Sequence, residues 1–125
     1  MSNGKDAGAA SLRKDPVLSV QTEGKACIVR LAGELDLYNA QSVRQALAGA
    51  CKDSPERIVV DLGEVEFIDS TALGALIEAR TQLDNRSAFL LAAPGVETRR
   101  ALEISGLDRH FTVHESVSEA LFAKV

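Results

Sequence analysis

The residues best placed to do chemistry in this sequence form a short polar run, Asp69-Ser70-Thr71, between two apolar segments. The apolar spacing that follows predicts a helix starting at this run, where unpaired backbone N–H groups and the helix dipole favour negative charge. A phosphate on Ser70 would add about −1.5 to −2 charge at neutral pH, beside the charge of Asp69. Because Asp, Ser and Thr are also ordinary helix caps, the pattern alone fits either a cap or a phosphorylation switch.

Other residue combinations give weaker indications of chemistry. His110 and His114 are four residues apart, and no cluster of Cys, Asp or Glu completes a metal site around them. The sequence has neither a GxSxG nucleophile motif nor a glycine-rich phosphate loop ending in GK[ST]. We therefore predict no metal, no cofactor and no nucleotide bound by this chain itself. A small hydrolase using Ser70 is the enzyme hypothesis, and the missing motif disfavours it.

The sequence contains two cysteines, Cys27 and Cys51, which are not in a CxxC spacing. Cys27 lies in an apolar alternation and Cys51 ends a helical apolar stripe, which predicts two buried, reduced thiols. A redox-active pair is the alternative. The sequence leaves it open because disulfide formation depends on the distance between the two residues.

The composition limits the class of protein and its partners. The 125 residues are 46% hydrophobic and 26% charged, which is typical of one globular domain. The formal net charge of −4 disfavours binding to nucleic acid or to anionic lipid. No apolar run is long enough to span a membrane, and the first residues lack the apolar segment of a signal peptide. We therefore predict a cytoplasmic protein.

The hydrophobic periodicity predicts the element order β-β-α-β-α-β-α-β-α. This order indicates an α/β domain with a mixed, mostly parallel sheet of about five strands, about four helices packed on it and an antiparallel opening hairpin. Residues 1–15 are predicted to be a flexible tail and residues 16–125 the domain.

Asn39 is a predicted helix N-cap, and Ser116 with Glu119 a predicted capping box. Gly33 and Gly74 are predicted to be glycines because the backbone conformation requires it, and not because they contact a ligand. Strands are expected over 17–22, 26–31, 58–60, 87–91 and 110–113, helices over 40–52, 70–83, 96–105 and after 116, and a connection over 61–66.

Two segments resemble a known family. Residues 29–36 read VRLAGELD and residues 59–74 read VVDLGEVEFIDSTALG. At this separation and with this element order, they resemble the STAS domains, and within them the bacterial anti-sigma factor antagonists. The resemblance covers the chain from about residue 17 to its C-terminus. It implies a single STAS-like domain in which Ser70 is the phosphoacceptor and Thr71 an alternative acceptor. The family often has Gly where this chain has Ala72, and we expect the helix start to survive this difference.

The resemblance also implies a function. In the family, the unphosphorylated antagonist binds an anti-sigma factor of the GHKL kinase type and so releases a sigma factor for transcription. A PP2C-like phosphatase reverses the phosphorylation. Asp36 matches a family position in a loop near the docking surface, although it could equally be a residue that turns the chain before Asn39. The partner-binding residues implied for this chain are Asp36, Asp69, Ser70, Thr71, Leu73 and Gly74.

A non-switching STAS module is the alternative function. Such a module would act as a scaffold in a stress-signalling assembly or as an accessory subunit of a transport system.

Overall fold

The computed structural model describes residues 15–125. The predicted flexible tail therefore lies outside the described residues, apart from Asp15, whose carboxylate accepts a hydrogen bond from the Val17 N–H at 2.9 Å. Five strands and four helices follow each other in the predicted order. The strands are β1 (Val17–Glu23), β2 (Ala26–Leu35), β3 (Arg57–Ile68), β4 (Phe89–Ala92) and β5 (Thr112–His114), and the helices are α1 (Ala40–Lys52), α2 (Ser70–Thr81), α3 (Val96–Ser105) and α4 (Val117–Phe122).

The five strands form one sheet in which spatial order follows chain order. β1 pairs antiparallel with β2, and every later neighbour pairs in parallel. The predicted mixed sheet is thus confirmed. Parallel neighbours need a crossover between them, and α1, α2 and α3 supply those crossovers.

Alternation along the strands divides the core into two parts. On one face, Val29, Ile58 and Phe89 belong to the larger core cluster, which includes residues of α1, α2 and α3. On the other face, Val59 and Leu90 belong to a smaller cluster that includes residues of α4. Successive side chains of a strand point to opposite faces, so strands buried on both sides carry the continuous apolar run seen in β3.

The predicted connection over 61–66 is wrong, because β3 continues without interruption to Ile68. β2 also extends beyond its predicted end to Leu35, and the two strands stay paired through irregularities in register. One irregularity lies at Gly33, whose φ of +78° is readily adopted only by glycine. The last pair of this ladder is Leu35 with Ile68, so the two strands end side by side. Asp36 and Asp69 therefore leave the sheet at the same edge.

Four local predictions differ from the structure. The helix predicted over 70–83 ends at Thr81, because the Gln82 N–H closes a tighter turn on the Ala79 carbonyl. The strand predicted over 87–91 begins only at Phe89, because Asn85 caps a short 3-10 turn over Arg86–Ala88. The short strand predicted over 110–113 is shifted to Thr112–His114. The Ser116 hydroxyl accepts from the Glu119 N–H as predicted, but the Glu119 carboxylate accepts from the Glu115 N–H instead of completing the box.

Candidate functional site at the start of α2

Asp69 holds the start of α2 and the loop after β2 together. One carboxylate oxygen accepts a hydrogen bond from the Ala72 N–H at 3.0 Å, which caps the helix. The other accepts from the Leu37 N–H at 3.1 Å. The Asp69 N–H itself donates to the Leu35 carbonyl at 3.0 Å. Asp69 thus satisfies one of the N–H groups that lack a partner within the helix, and it also fixes the neighbouring loop.

The loop after β2 is a compact turn built on Asp36. Its carboxylate accepts a hydrogen bond from the Tyr38 N–H at 3.0 Å, and its carbonyl accepts from the N–H of Ala40 at 2.9 Å. The structure therefore gives Asp36 the chain-turning role that was one of its two predicted roles. Asn39 is the N-cap residue of α1, as predicted, but its side chain makes no cap bond. Its amide instead accepts from the Asp36 N–H and donates to the Glu34 carbonyl, because both groups lie behind it in the turn.

Ser70 is the first residue of α2, and its side chain is exposed. Thr71 is half-buried beside it. Gly74, one turn later on the same face of the helix, is also half-buried. A Cβ built at Gly74 would meet nothing within 4 Å, so the fold does not require glycine there, contrary to the prediction. A hydroxyl with this exposure, at a helix start where the helix dipole favours negative charge, can accept a phosphoryl group without disturbing the core.

Leu73 differs from the other predicted partner-binding residues. It is 6% exposed and belongs to the larger core cluster. Its side chain therefore supports the helix from beneath and offers little contact area to a partner. The structure brings Asp36, Asp69, Ser70 and Thr71 together at one edge of the sheet, and places Leu73 below them.

The two most exposed apolar residues at this edge, Leu37 and Tyr38, were missed by the sequence reasoning. Leu37 is 65% exposed and Tyr38 is 80% exposed. They directly follow Asp36, within the turn that Asp69 holds. The signal in the sequence was a pair of large apolar residues outside any strand or helix period, which normal loop composition does not favour.

The segments that form this edge are strongly acidic. Residues 31–43 and 62–79 contain six Asp or Glu residues and no Lys or Arg. One of the six, Glu78, pairs with Arg44 at 3.1 Å, between α2 and α1. The other five are Glu34, Asp36, Glu64, Glu66 and Asp69. The Asp36 and Asp69 carboxylates both lie in the turn beside Ser70, so this edge carries negative charge.

The two cysteines lie away from this edge, near the start of β2 and the end of α1. Neither is in a disulfide; Cys27 is buried and Cys51 half-buried, with its thiol donating to the Ala79 carbonyl at 3.7 Å. Burial raises the pKa of both thiols. The charge of Asp53 adds to the pKa rise at Cys27, and that of Cys27 to the pKa rise at Cys51. Both thiols are therefore protonated at neutral pH. The predicted burial holds for Cys27 and only in part for Cys51, and a redox-active pair stays the untested alternative.

Neither a metal-binding cluster nor a membrane-spanning helix occurs in the described part of the chain. Residues 15–125 contain no group of three His, Cys, Asp or Glu side chains arranged to hold a metal ion. Within the same residues, no helix has the length and apolar character needed to cross a bilayer.

Comparison with known proteins identifies related sequences and folds. The family model for the STAS domain matches residues 17–120. The chain is 29% identical over 104 residues to the anti-sigma-F factor antagonist RsfB of Mycobacterium tuberculosis, covering 83% of this chain and 85% of RsfB. An anti-sigma factor antagonist from Mycobacterium paratuberculosis, solved by crystallography, is 32% identical, with a TM-score of 0.78 over 84% of this chain and 89% of that one.

The antagonist SpoIIAA shares the fold at lower identity. Its unphosphorylated form is 21% identical, with a TM-score of 0.70 over 82% of this chain and 91% of SpoIIAA. The Bacillus protein has also been solved in a phosphorylated form, with a TM-score of 0.62 at the same identity over 82% of this chain and 95% of that one. At this identity the likeness shows the fold alone.

Proposed function

Because the chain belongs to the STAS domain family, we propose that it is a cytoplasmic anti-sigma factor antagonist switched by phosphorylation of Ser70. The observation that carries the proposal is the exposed Ser70 hydroxyl at the first position of α2, next to the capping carboxylate of Asp69. The names of the related proteins RsfB and the M. paratuberculosis antagonist support the antagonist role. The existence of a phosphorylated form of SpoIIAA supports the idea that this fold can carry a phosphate.

The partner we propose is an anti-sigma factor of the GHKL kinase type, which supplies ATP. The Ser70 hydroxyl oxygen attacks the γ-phosphorus of that ATP, the bond to the bridging oxygen breaks, and ADP leaves. The hydroxyl proton passes to a base of the kinase. A PP2C-like phosphatase later hydrolyses the phosphate ester and restores the hydroxyl. This chain acts as the substrate and binding protein in both steps, not as the enzyme.

Release of the partner follows from the cost of burying a dianion. Packing a partner against the start of α2 would desolvate the phosphate, and the effective penalty for a buried ion is several kcal/mol. An exposed ion pair at the rim of the same interface returns only about 0.2–1 kcal/mol. The desolvation cost therefore dominates, and phosphorylation of Ser70 ejects the partner. Dephosphorylation restores binding and so frees a sigma factor for transcription.

Phosphotransfer with mass spectrometry tests this proposal. The purified chain is incubated with ATP and each purified GHKL-type anti-sigma factor of the same organism, and the phosphate is mapped to a residue. We expect one phosphate on Ser70, none on the Ser70→Ala variant, and its removal by a PP2C-like phosphatase. Transfer to Thr71 in the wild-type chain would show that Thr71, and not Ser70, is the phosphoacceptor.

Two results would contradict the proposal. If no anti-sigma factor binds the chain, the antagonist function is wrong. If one binds without transferring phosphate, the chain is a non-switching STAS module.

A further inference from the structure

Leu37 and Tyr38 are two large apolar side chains exposed beside the proposed phosphorylation site. They are 65% and 80% exposed, whereas most Leu, Ile and Val residues of the strands are buried. The Leu37 N–H is bonded to Asp69, which is adjacent to Ser70 in the chain. An exposed apolar surface of this kind, rimmed by polar residues, is a common mark of a protein–protein contact.

The backbone under these two side chains is held in place. Leu37 is fixed by the Asp69 carboxylate, and Tyr38 by the Asp36 carboxylate. The Asn39 side chain closes the turn, because its amide accepts from the Asp36 N–H and donates to the Glu34 carbonyl. A surface that is already ordered before binding loses less conformational entropy when a partner docks.

We infer that Leu37 and Tyr38 form the apolar anchor through which this chain docks to its anti-sigma factor. The inference rests on the proposed function and extends it to residues outside the phosphorylated helix. The partner has an apolar pocket that receives the two side chains, with Lys and Arg residues around its rim. The anchor and Ser70 then lie in one continuous contact, on the two sides of Asp69.

The charge of this edge favours such a partner over a second copy of this chain. The carboxylates of Asp36 and Asp69 accept hydrogen bonds from the backbone of the anchor itself, and neither of the two segments contains a Lys or Arg. A symmetric dimer would bring two such surfaces face to face, and like charges across an interface are unfavourable. A basic rim on a different protein would instead be attracted and oriented by them.

The position of the anchor also explains why one phosphate is sufficient for release. Binding through Leu37 and Tyr38 excludes water from the surface next to Ser70. A phosphate there must then either lose its hydration or prevent the apolar side chains from entering their pocket.

Binding titrations with a matched control test the inference. The probe is the purified GHKL-type anti-sigma factor that binds the wild-type chain. We expect Leu37→Ala and Tyr38→Ala each to weaken binding by about 10- to 30-fold, more than truncation of most interface residues costs. Ile104→Ala is the control, because Ile104 is 80% exposed near the C-terminal end of α3, away from Asp69. Its affinity should stay within about twofold of the wild type, the range of a neutral surface substitution.

Two further measurements distinguish an apolar anchor from a contact made by the tyrosine hydroxyl or by charge alone. Tyr38→Phe keeps the ring and should bind like the wild type, whereas loss of binding would show that the hydroxyl is what matters. Raising the ionic strength should weaken binding of the wild type and of Tyr38→Ala by the same factor, because the carboxylate rim is intact in both. Circular dichroism confirms that each variant is folded.

The outcomes distinguish this inference from the proposed function. If Ser70→Glu weakens binding but Leu37→Ala and Tyr38→Ala do not, the anchor is wrong and the phosphorylation switch stands. If no anti-sigma factor binds the wild-type chain, both are wrong. If sedimentation shows a dimer that Tyr38→Ala dissociates, the pair serves self-association and the inference is overturned.

Discussion

The Asp69 carboxylate accepts a hydrogen bond from the backbone N–H of Leu37, with 3.1 Å between oxygen and nitrogen. The two residues are thirty-two positions apart in sequence, yet this contact joins the start of α2 to the loop after β2. It exists because β2 and β3 end as a pair, with Leu35 opposite Ile68. The same carboxylate caps α2 through Ala72, so one side chain sets the geometry of the whole edge.

Replacing Asp69 should lower the free energy of unfolding in proportion to the bonds removed. Asp69→Ala loses both the cap and the loop bond, and we expect a cost of about 1–3 kcal/mol. Asp69→Asn can still cap Ala72, but its amide NH2 faces the Leu37 N–H, so we expect about 0.5–1.5 kcal/mol. Urea unfolding measures both variants, with exposed Ser70→Ala as the control, expected within about 0.5 kcal/mol. Equal stability of Asp69→Ala and wild type would contradict the bridging role.

Charge at Ser70 should separate stability from binding. In Ser70→Glu, the carboxylate lies at the positive end of α2, so the free energy of unfolding should be unchanged or rise by about 0.3–1 kcal/mol. Binding to the anti-sigma factor should weaken, though less than with phosphate because Glu carries one charge. Ser70→Ala should bind in the presence of ATP without being released. Calorimetric titration and urea unfolding provide the two readouts, and equal affinity of the three proteins would refute the switch.

Gly74→Ala should stabilise the fold and weaken partner binding. The new methyl group meets no atom within 4 Å, and Ala exceeds Gly in helix propensity by about 0.5–1 kcal/mol. The methyl also projects from the helix face that carries Ser70, where the partner is proposed to pack. Thermal unfolding and titration measure the two effects. Unchanged affinity would remove Gly74 from the docking surface without affecting the stability argument.

The buried thiols should make stability fall at alkaline pH. The pKa values of Cys27 and Cys51 are raised in the folded chain, so the unfolded chain loses these protons at lower pH. The free energy of unfolding should therefore fall as pH rises above the usual thiol pKa of about 8.5. Urea unfolding at neutral and alkaline pH measures this fall. The free energy of unfolding of a Cys27→Ala/Cys51→Ala variant should fall less steeply with pH. An equally steep fall would assign the effect to other groups.

The sequence by itself determined the element order and the phosphoacceptor candidate. Apolar periodicity located all four helices, and α3 (Val96–Ser105) and α1 (Ala40–Lys52) have the predicted bounds. The polar run at 69–71 indicated the start of α2, because its cap residue and the apolar spacing after it are both local signals. Local signals of this kind can be read from the sequence because they depend on residues within one or two helical turns.

Tertiary structure alone decided which residues share the site. Pairing with β2 extends β3 through residues 61–66, where local composition with Gly63 suggested a connection. That pairing brings Leu37 to Asp69 and leaves Tyr38 exposed next to it. Each of these results depends on hydrogen bonds and packing between segments about thirty residues apart, and no local pattern encodes a contact with a distant strand.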